Sequence, residues 1–391
     1  MNSDTIRKYI NLFTGDYLSI YDNQIINLEN IKEVIDYNMY MLSLVLDKAF
    51  YKKNVYEEFI RQIICEEHPE HYGHYFNNFK DVNRADIVEE LKKIPFIEQR
   101  SPEWFKLKEG SIGASEGAVV FGKNMFSSEK KLILKKCGYK EEFKMNPACL
   151  HGTKCEPIVQ LIYEIKTKKQ LYEFGSIRHP EIDCVSASPD GIMEDGVMVE
   201  IKVPSRRKIT GIPPIYYWIQ MQQQMQVCGL DKVDFVECKI TEYLSMEEYK
   251  NDYDITKGDN YPFNNEGNIK NVFIEYHNTL SNVGEVGWIY PKRMLFLEEI
   301  SQWIDEKKEI IKNDNNKIFS RKIFYKVDKY SVCGVWRDNY WWNTNKHKYK
   351  ELWDKVLYHR KNGYDELLPK KRERKKRVQK FMFLDDSDDE K

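Results

Sequence analysis

The stretch Ser186–Lys202, SASPDGIMEDGVMVEIK, decides how this chain is read. An Asp follows a Pro at Asp190, and further on a Glu and a Lys stand two apart at Glu200 and Lys202. A strand repeats its side-chain direction every two residues, so Glu200 and Lys202 share one face. Pro189-Asp190-Gly191 is turn chemistry, and Glu194-Asp195-Gly196 offers a second tight turn before the next apolar run. Folding both turns brings Asp190 beside Glu200 and Lys202. Two carboxylates and an amine at one point suit a hard cation with a charged helper, the equipment of phosphodiester cleavage. The plainer alternative is a common turn followed by a solvated charge pair. Against it, Val197-Met198-Val199 runs straight into Glu200-Ile201-Lys202-Val203, apolar enough for a buried strand. An unpaired Glu and Lys there would cost several kcal/mol, so a metal or a polar network is expected around them.

At 391 residues the chain can bury a sizeable core and holds more than one structural unit. It is 31% charged and 14% aromatic, a composition that suits a globular protein rather than a disordered one. The net charge of -1 means that any nucleic-acid surface must come from local segregation of charge. The polar, interrupted start MNSDTIRKYINLF is not a signal peptide, and no apolar run approaches the ~20 residues of a membrane span. The eight cysteines are scattered without CxxC pairs and read as reduced thiols of an intracellular protein.

Residues 1–98 read as a helical extension, with an apolar run at 34–46 and a loop at Pro69–His74. From 99 to 312 strands and turns alternate with helices. Helices are expected at Gly152–Lys166, Ile215–Cys228 (ended by Gly229) and Leu295–Ile311, and strands at Val233–Ile240 and Val272–Tyr276. Residues 313–368 form an aromatic-rich piece with Trp336, Tyr340, Trp341, Trp342 and Trp353, and 369–391 a charged, disordered tail.

Further features surround the acidic stretch. Arg100-Ser101-Pro102-Glu103-Trp104 precedes Lys108-Glu109-Gly110-Ser111-Ile112-Gly113-Ala114-Ser115-Glu116, where small residues around a Ser open a helix. Free N–H groups there favour an anion, and the alternative is an ordinary helix cap. His151-Gly152-Thr153-Lys154-Cys155-Glu156-Pro157 places Glu156 on the helix that follows. In Tyr216-Tyr217-Trp218-Ile219-Gln220-Met221-Gln222-Gln223-Gln224-Met225, Gln220 and Gln224 lie one helical turn apart and share a face. Such glutamines either serve water or phosphate beside a metal or decorate a helix surface.

Taken in this order, R-S-x-E-W, G-A-S-E, G-x-x-x-E-P, S-P-D-G, E-x-K-x-P and Y-x-x-Q-x-Q-x-x-M resemble the phage lambda exonuclease and YqaJ-type viral recombinase nucleases of the PD-(D/E)xK superfamily. The likeness covers roughly 99–240, with the following strands and amphipathic helix extending it to about 312, and the long flanks would fit a giant-virus member. It implies an α/β fold: a restriction-endonuclease-like core with a central mixed sheet flanked by helices, a helical N-terminal extension and a small aromatic-rich C-terminal region. It further implies that Asp190 and Glu200 hold Mg²⁺, with Mn²⁺ able to substitute, and that Glu156 reaches the metal directly or through water. Lys202 would orient or deprotonate the attacking water, and Gln220 would position Lys202 or that water. Ser115 would contact a 5′-terminal phosphate, with Lys108 aligned where the phage enzyme has an arginine and Arg100 a second contact. Arg206, Arg207 and Lys208 follow the E-x-K strand, placed for backbone phosphates or simply solvated.

The activity expected from the resemblance is a Mg²⁺-dependent 5′→3′ exonuclease on double-stranded DNA ends, leaving 3′ single strands for recombination, repair or replication. The rivals are a structure-specific or single-strand endonuclease on the same core, and a non-catalytic DNA-end-binding recombination factor. The family also implies a single-strand annealing or recombination partner and a ring of three subunits, although the long flanks suit a monomer. The expected location is the cytoplasm or a viral replication site, with nuclear import open through the basic block Lys370–Arg377. Cys65, His68, His71 and His74 recur every third residue but fit no zinc-ligand spacing, and an ordinary loop is the expectation. The Trp/Tyr-rich 330–353 segment is expected to pack in a core rather than stack bases.

Overall fold

The computed structural model of the chain describes residues 3–20, 31–46, 60, 63–64, 83–97, 101–139, 147–252, 262–264, 268–279 and 285–368. Arg100, the Cys65–His74 motif and the basic block at 370–377 lie outside the described residues. The chain begins with α1 (Ser3–Ile20), α2 (Ile31–Val45), α3 (Ala85–Lys92) and α4 (Pro102–Glu109). Next come β1 (Ile112–Gly113), α5 (Ala114–Val120), α6 (Glu129–Lys136) and α7 (Pro147–Thr167). The centre of the chain is β2 (Leu171–Tyr172), β3 (Ile177–Arg178), β4 (Val185–Ala187), β5 (Gly191–Met193), β6 (Val197–Lys202), α8 (Ile215–Cys228) and β7 (Lys232–Glu242). It is followed by α9 (Met246–Asn251), β8 (Lys270–Asn278), β9 (Glu285–Ile289), α10 (Leu297–Lys312), β10 (Lys317–Trp336), α11 (Asn339–Asn345) and α12 (His347–Asn362).

A mixed sheet in the order β2-β5-β6-β7-β10-β8-β9 is flanked by helices, and a small sheet, β1-β4-β3, sits beside it. This is the mixed α/β architecture expected from the sequence. Both expected turns form around β5: Pro189–Gly191 leads into it, and Gly196, at φ +86°, opens β6. A left-handed backbone there is cheap only for glycine. β6 and β7 are parallel, with Lys202 opposite Glu237. Parallel neighbours need a crossover, and α8 supplies it. Gly229, at φ +69°, stops α8 where the sequence anticipates.

Period-two alternation on β6 sorts its side chains between two cores. Val197, Val199, Ile201 and Val203 pack with Ile158, Val159 and Ile162 of α7. Met198 packs with Trp218, Met221 and Met225 of α8. Each such buried aliphatic contributes about 1.5–3 kcal/mol, which fixes the register of the strand. That register leaves Glu200 and Lys202 on the face toward α8.

The C-terminal stretch differs from its expected separateness. Residues 317–336 form β10, antiparallel to both β7 and β8 and inserted between them. The alternating apolar residues Ile323, Tyr325 and Val327 fill the core beneath, so this strand belongs to the central sheet. In its aromatic follow-on Trp342 is buried and stacks on His179 with ring centroids 5.6 Å apart, whereas Tyr340 stands exposed.

Candidate active site

The site forms at the ends of β4 and β6. Glu200 is fully buried, and a carboxylate there without partners would cost more than its strand neighbours contribute individually. Its partners are three. Oε1 accepts from Gln220 Nε2 at 2.6 Å and from Lys202 Nζ, and Oε2 accepts from Gln224 Nε2 at 2.6 Å. Gln220 and Gln224 do share a face of α8, and that face is turned onto one carboxylate.

Asp190 is anchored by its own strand neighbour: Oδ2 accepts from the Ile201 backbone N–H at 2.7 Å. It retains some exposure, yet burial by its surroundings, together with the Glu200 charge, pushes its pKa well above the ordinary carboxylate range. Lys202 partly offsets this, and Glu156 adds to it. Burial draws the Lys202 ammonium down, but Glu200 and Asp190 outweigh that and leave its pKa raised. The Lys202 Nζ also lies 5.0 Å from the centre of the Tyr217 ring.

Asp190, Glu200, Lys202 and Gln220 are therefore gathered as the sequence predicts. Glu156 is an exposed residue of α7, on the opposite side of β6 from α8, and acts on Asp190 by its charge. Among the described residues no group of three or more His, Cys, Asp or Glu side chains is drawn close enough to cage a metal ion.

The donor set nonetheless fits a hard cation of one particular kind. Mg²⁺ characteristically takes one or two carboxylates and keeps most of its waters. Asp190 and Glu200 press on each other with like charge, so a divalent cation between them would relieve the strain that raises Asp190. Ser188 Oγ and Gln224 Oε1 are also buried without a hydrogen-bond partner among the described residues, leaving polar atoms for bound water.

Ser115 sits near the same end of the molecule for a topological reason. β1 runs parallel to β4, with Ile112 opposite Val185 and Gly113 opposite Ser186. The chain therefore leaves β1 toward Ala114-Ser115 on the side where it leaves β4 toward Pro189-Asp190. Gln223 fastens this pair, donating to the Ile112 carbonyl at 2.8 Å and the Ser186 carbonyl at 2.9 Å. Ser115 is exposed on the first turn of α5. Lys108 lies over the Trp104 ring at 4.7 Å, and burial lowers its pKa.

The three basic residues after β6 diverge. Arg207 is committed inward, paired with buried Glu237 of β7 and 5.9 Å from the centre of the Tyr217 ring. Arg206 and Lys208 are exposed.

Sequence reasoning did not assign Gln222 and Gln223, nor the Glu116–Lys136 pair beneath α5. The signal was present in the run Q-M-Q-Q-Q between apolar residues. Buried amides must be satisfied, so each glutamine implies its own partner. Gln222, for instance, donates to the Trp336 carbonyl at 2.7 Å and accepts from Asp338 N at 2.7 Å, tying α8 to the end of β10.

Residues 103–231 match the YqaJ-like viral recombinase domain. An uncharacterized protein of Acanthamoeba polyphaga mimivirus is 28% identical over 82% of this chain, and the chain spans 60% of that relative's length. Among solved structures, an alkaline exonuclease from Laribacter hongkongensis overlaps 67% of this chain and 95% of its own at 20% identity, with a TM-score of 0.40. A phage related exonuclease from Haemophilus somnus overlaps 66% of this chain and 94% of its own at 11% identity, with a TM-score of 0.33. Asp190, Glu200, Lys202 and Gln220 all fall inside the segment that matches the YqaJ-like viral recombinase domain.

Proposed function

We propose that this protein is a divalent-metal-dependent deoxyribonuclease that digests double-stranded DNA from its ends, 5′→3′, leaving 3′ single strands. The observation that carries the reading is the convergence of Asp190, Glu200, Lys202 and Gln220 within a YqaJ-like viral recombinase domain.

Asp190 and Glu200 would hold Mg²⁺, which when bound polarises the scissile phosphate and offsets charge as the phosphodiester breaks. The chain's own residues do the rest. Gln220 and Gln224 hold Glu200 from both sides, so the carboxylate cannot swing away from the centre. The Lys202 ammonium stands beside the same carboxylate, positioned to orient the attacking water and to stabilise charge growing on the phosphate. Glu156, on the opposite side of β6, would reach the centre through a water. Ser115 and Lys108 are assigned to the terminal phosphate of the strand being cut. With Lys108 in that role the contact supplies charge without a bidentate fork.

The test is digestion of a linear duplex labelled at either 5′ or 3′ ends beside a covalently closed circle of the same sequence. The proposal expects mononucleotides from the 5′ end and an intact circle. Cutting of the circle would instead favour an endonuclease on this core, and shortening from the 3′ end alone would overturn the polarity.

A further inference from the structure

We infer that the turn joining α5 to α6 holds Phe126 outward as a shelf on which a nucleobase of the bound strand stacks, in line with Tyr216 and Tyr217 beside Lys202. The inference rests on the deoxyribonuclease reading and adds residues that grip the DNA.

Phe126 is 75% exposed and its neighbour Met125 78% exposed. Single apolar residues on a surface need no explanation, but these two are held there by a built turn. Asn124 Oδ1 accepts from the Phe126 N–H at 2.8 Å and the Ser127 N–H at 2.9 Å. Ser128 then caps α6. These bonds fix the backbone of the turn on which Phe126 stands.

From Phe126 a chain of rings runs to the site. Its edge meets Tyr216 at 5.8 Å between centroids, and Tyr216 meets Tyr217 at 4.4 Å. The Tyr217 ring carries Lys202 on one contact and Arg207 on another. Lys123 in the same turn is exposed, as are Arg206 and Lys208 on either side of the Arg207 that reaches the Tyr217 ring. Aromatic faces interleaved with cations are how single strands are held without sequence preference, since every base offers a face and every linkage a charge. The charge around the shelf, and its continuity with Lys202, favour a nucleobase over an apolar protein surface.

The probe is a duplex with a single-stranded overhang carrying 2-aminopurine at the junction, bound to Asp190→Asn protein so that it is not digested. Phe126→Ala in that background is expected to bind about tenfold more weakly and to lose the fluorescence quenching that stacking produces. Phe126→Trp, which keeps a face, is expected to restore both. Unchanged affinity and quenching in Phe126→Ala would overturn the shelf and leave the patch to a protein partner. Failure of the Asp190→Asn protein to bind any DNA, with no digestion by the unaltered chain, would overturn the proposed function and the shelf together.

Discussion

Gln224 donates to Glu200 Oε2 at 2.6 Å, on the opposite side of the carboxylate from the Gln220 donation to Oε1. One helical turn of α8 thus clamps the central acidic residue of the site. A buried carboxylate that loses one of its donors is left under-solvated at a cost of about 1–3 kcal/mol. Gln224→Leu is expected to lower unfolding free energy by about 2 kcal/mol in urea titration and to slow DNA hydrolysis. A variant as stable and as active as the parent would show that Gln220 and Lys202 suffice.

Metal binding has a readout that does not depend on catalysis. A ligand that binds only the folded chain stabilises it, by about 2.7 kcal/mol at a hundred times its dissociation constant. Mg²⁺ is expected to raise the thermal midpoint of the unaltered protein. Asp190→Asn removes one carboxylate and is expected to abolish the shift, while Glu156→Gln, whose residue lies outside the tight cluster, leaves most of it. An equal Mg²⁺ response in Asp190→Asn would place the cation elsewhere.

Under α5, Glu116 accepts from Lys136 at 2.7 Å and Lys135 at 2.8 Å, and Lys136 also donates to the Lys108 carbonyl at 2.6 Å. Burial pushes the Glu116 carboxyl up, but the two ammonium groups outweigh it and hold it below its usual range. Burial also draws Lys136 down, although Glu116 beside it opposes that shift. The geometry supports the ion pair, since Lys136 sits 2.7 Å from Glu116 Oε2 and its second donor is taken by the Lys108 carbonyl. A carboxyl depressed on folding adds stability that is present above its unfolded pKa of about 4.3 and lost as pH falls through the lower folded value. Glu116→Gln should therefore cost about 3 kcal/mol at pH 7, because Lys136 stays buried without its counter-ion. The difference from the parent should narrow as pH drops below about 4, and a gap independent of pH would contradict the pairing.

Lys108 is the residue proposed for the terminal phosphate. Lys108→Ala is expected to reduce any preference for 5′-phosphorylated over 5′-hydroxyl duplex ends by about tenfold, while the rate on hydroxyl ends changes little. Competition between the two end types in one digest measures this directly. A preference that survives the substitution would remove Lys108 from the contact.

Much of the centre was legible because it is local. Asp190, Glu200 and Lys202 lie within one turn-strand-turn-strand unit, where period two and two glycine turns determine what meets. The helix at 215–228 was equally plain, since Pro214 and Gly229 bracket an uninterrupted apolar and glutamine run. What the sequence concealed depends on contacts far apart in the chain. By composition residues 317–336 group with the aromatic-rich C-terminal piece, yet pairing with both β7 and β8 puts them inside the central sheet. Arg207 looks like a phosphate contact until β7 aligns Glu237 beside it. No local pattern could have revealed that pairing, because it is set by the parallel register of β6 and β7.

The central claim is that Asp190, Glu200 and Lys202 together hydrolyse DNA. Its most direct measurement is nucleotide release from a linear duplex in Mg²⁺ by the unaltered chain, Glu200→Gln and Lys202→Ala, each with its DNA affinity measured in parallel. The account predicts release by the unaltered chain that stops on chelation, a loss of about a thousandfold (~4 kcal/mol) in both variants, and affinities within a few-fold of one another. Undiminished release by either variant would contradict it.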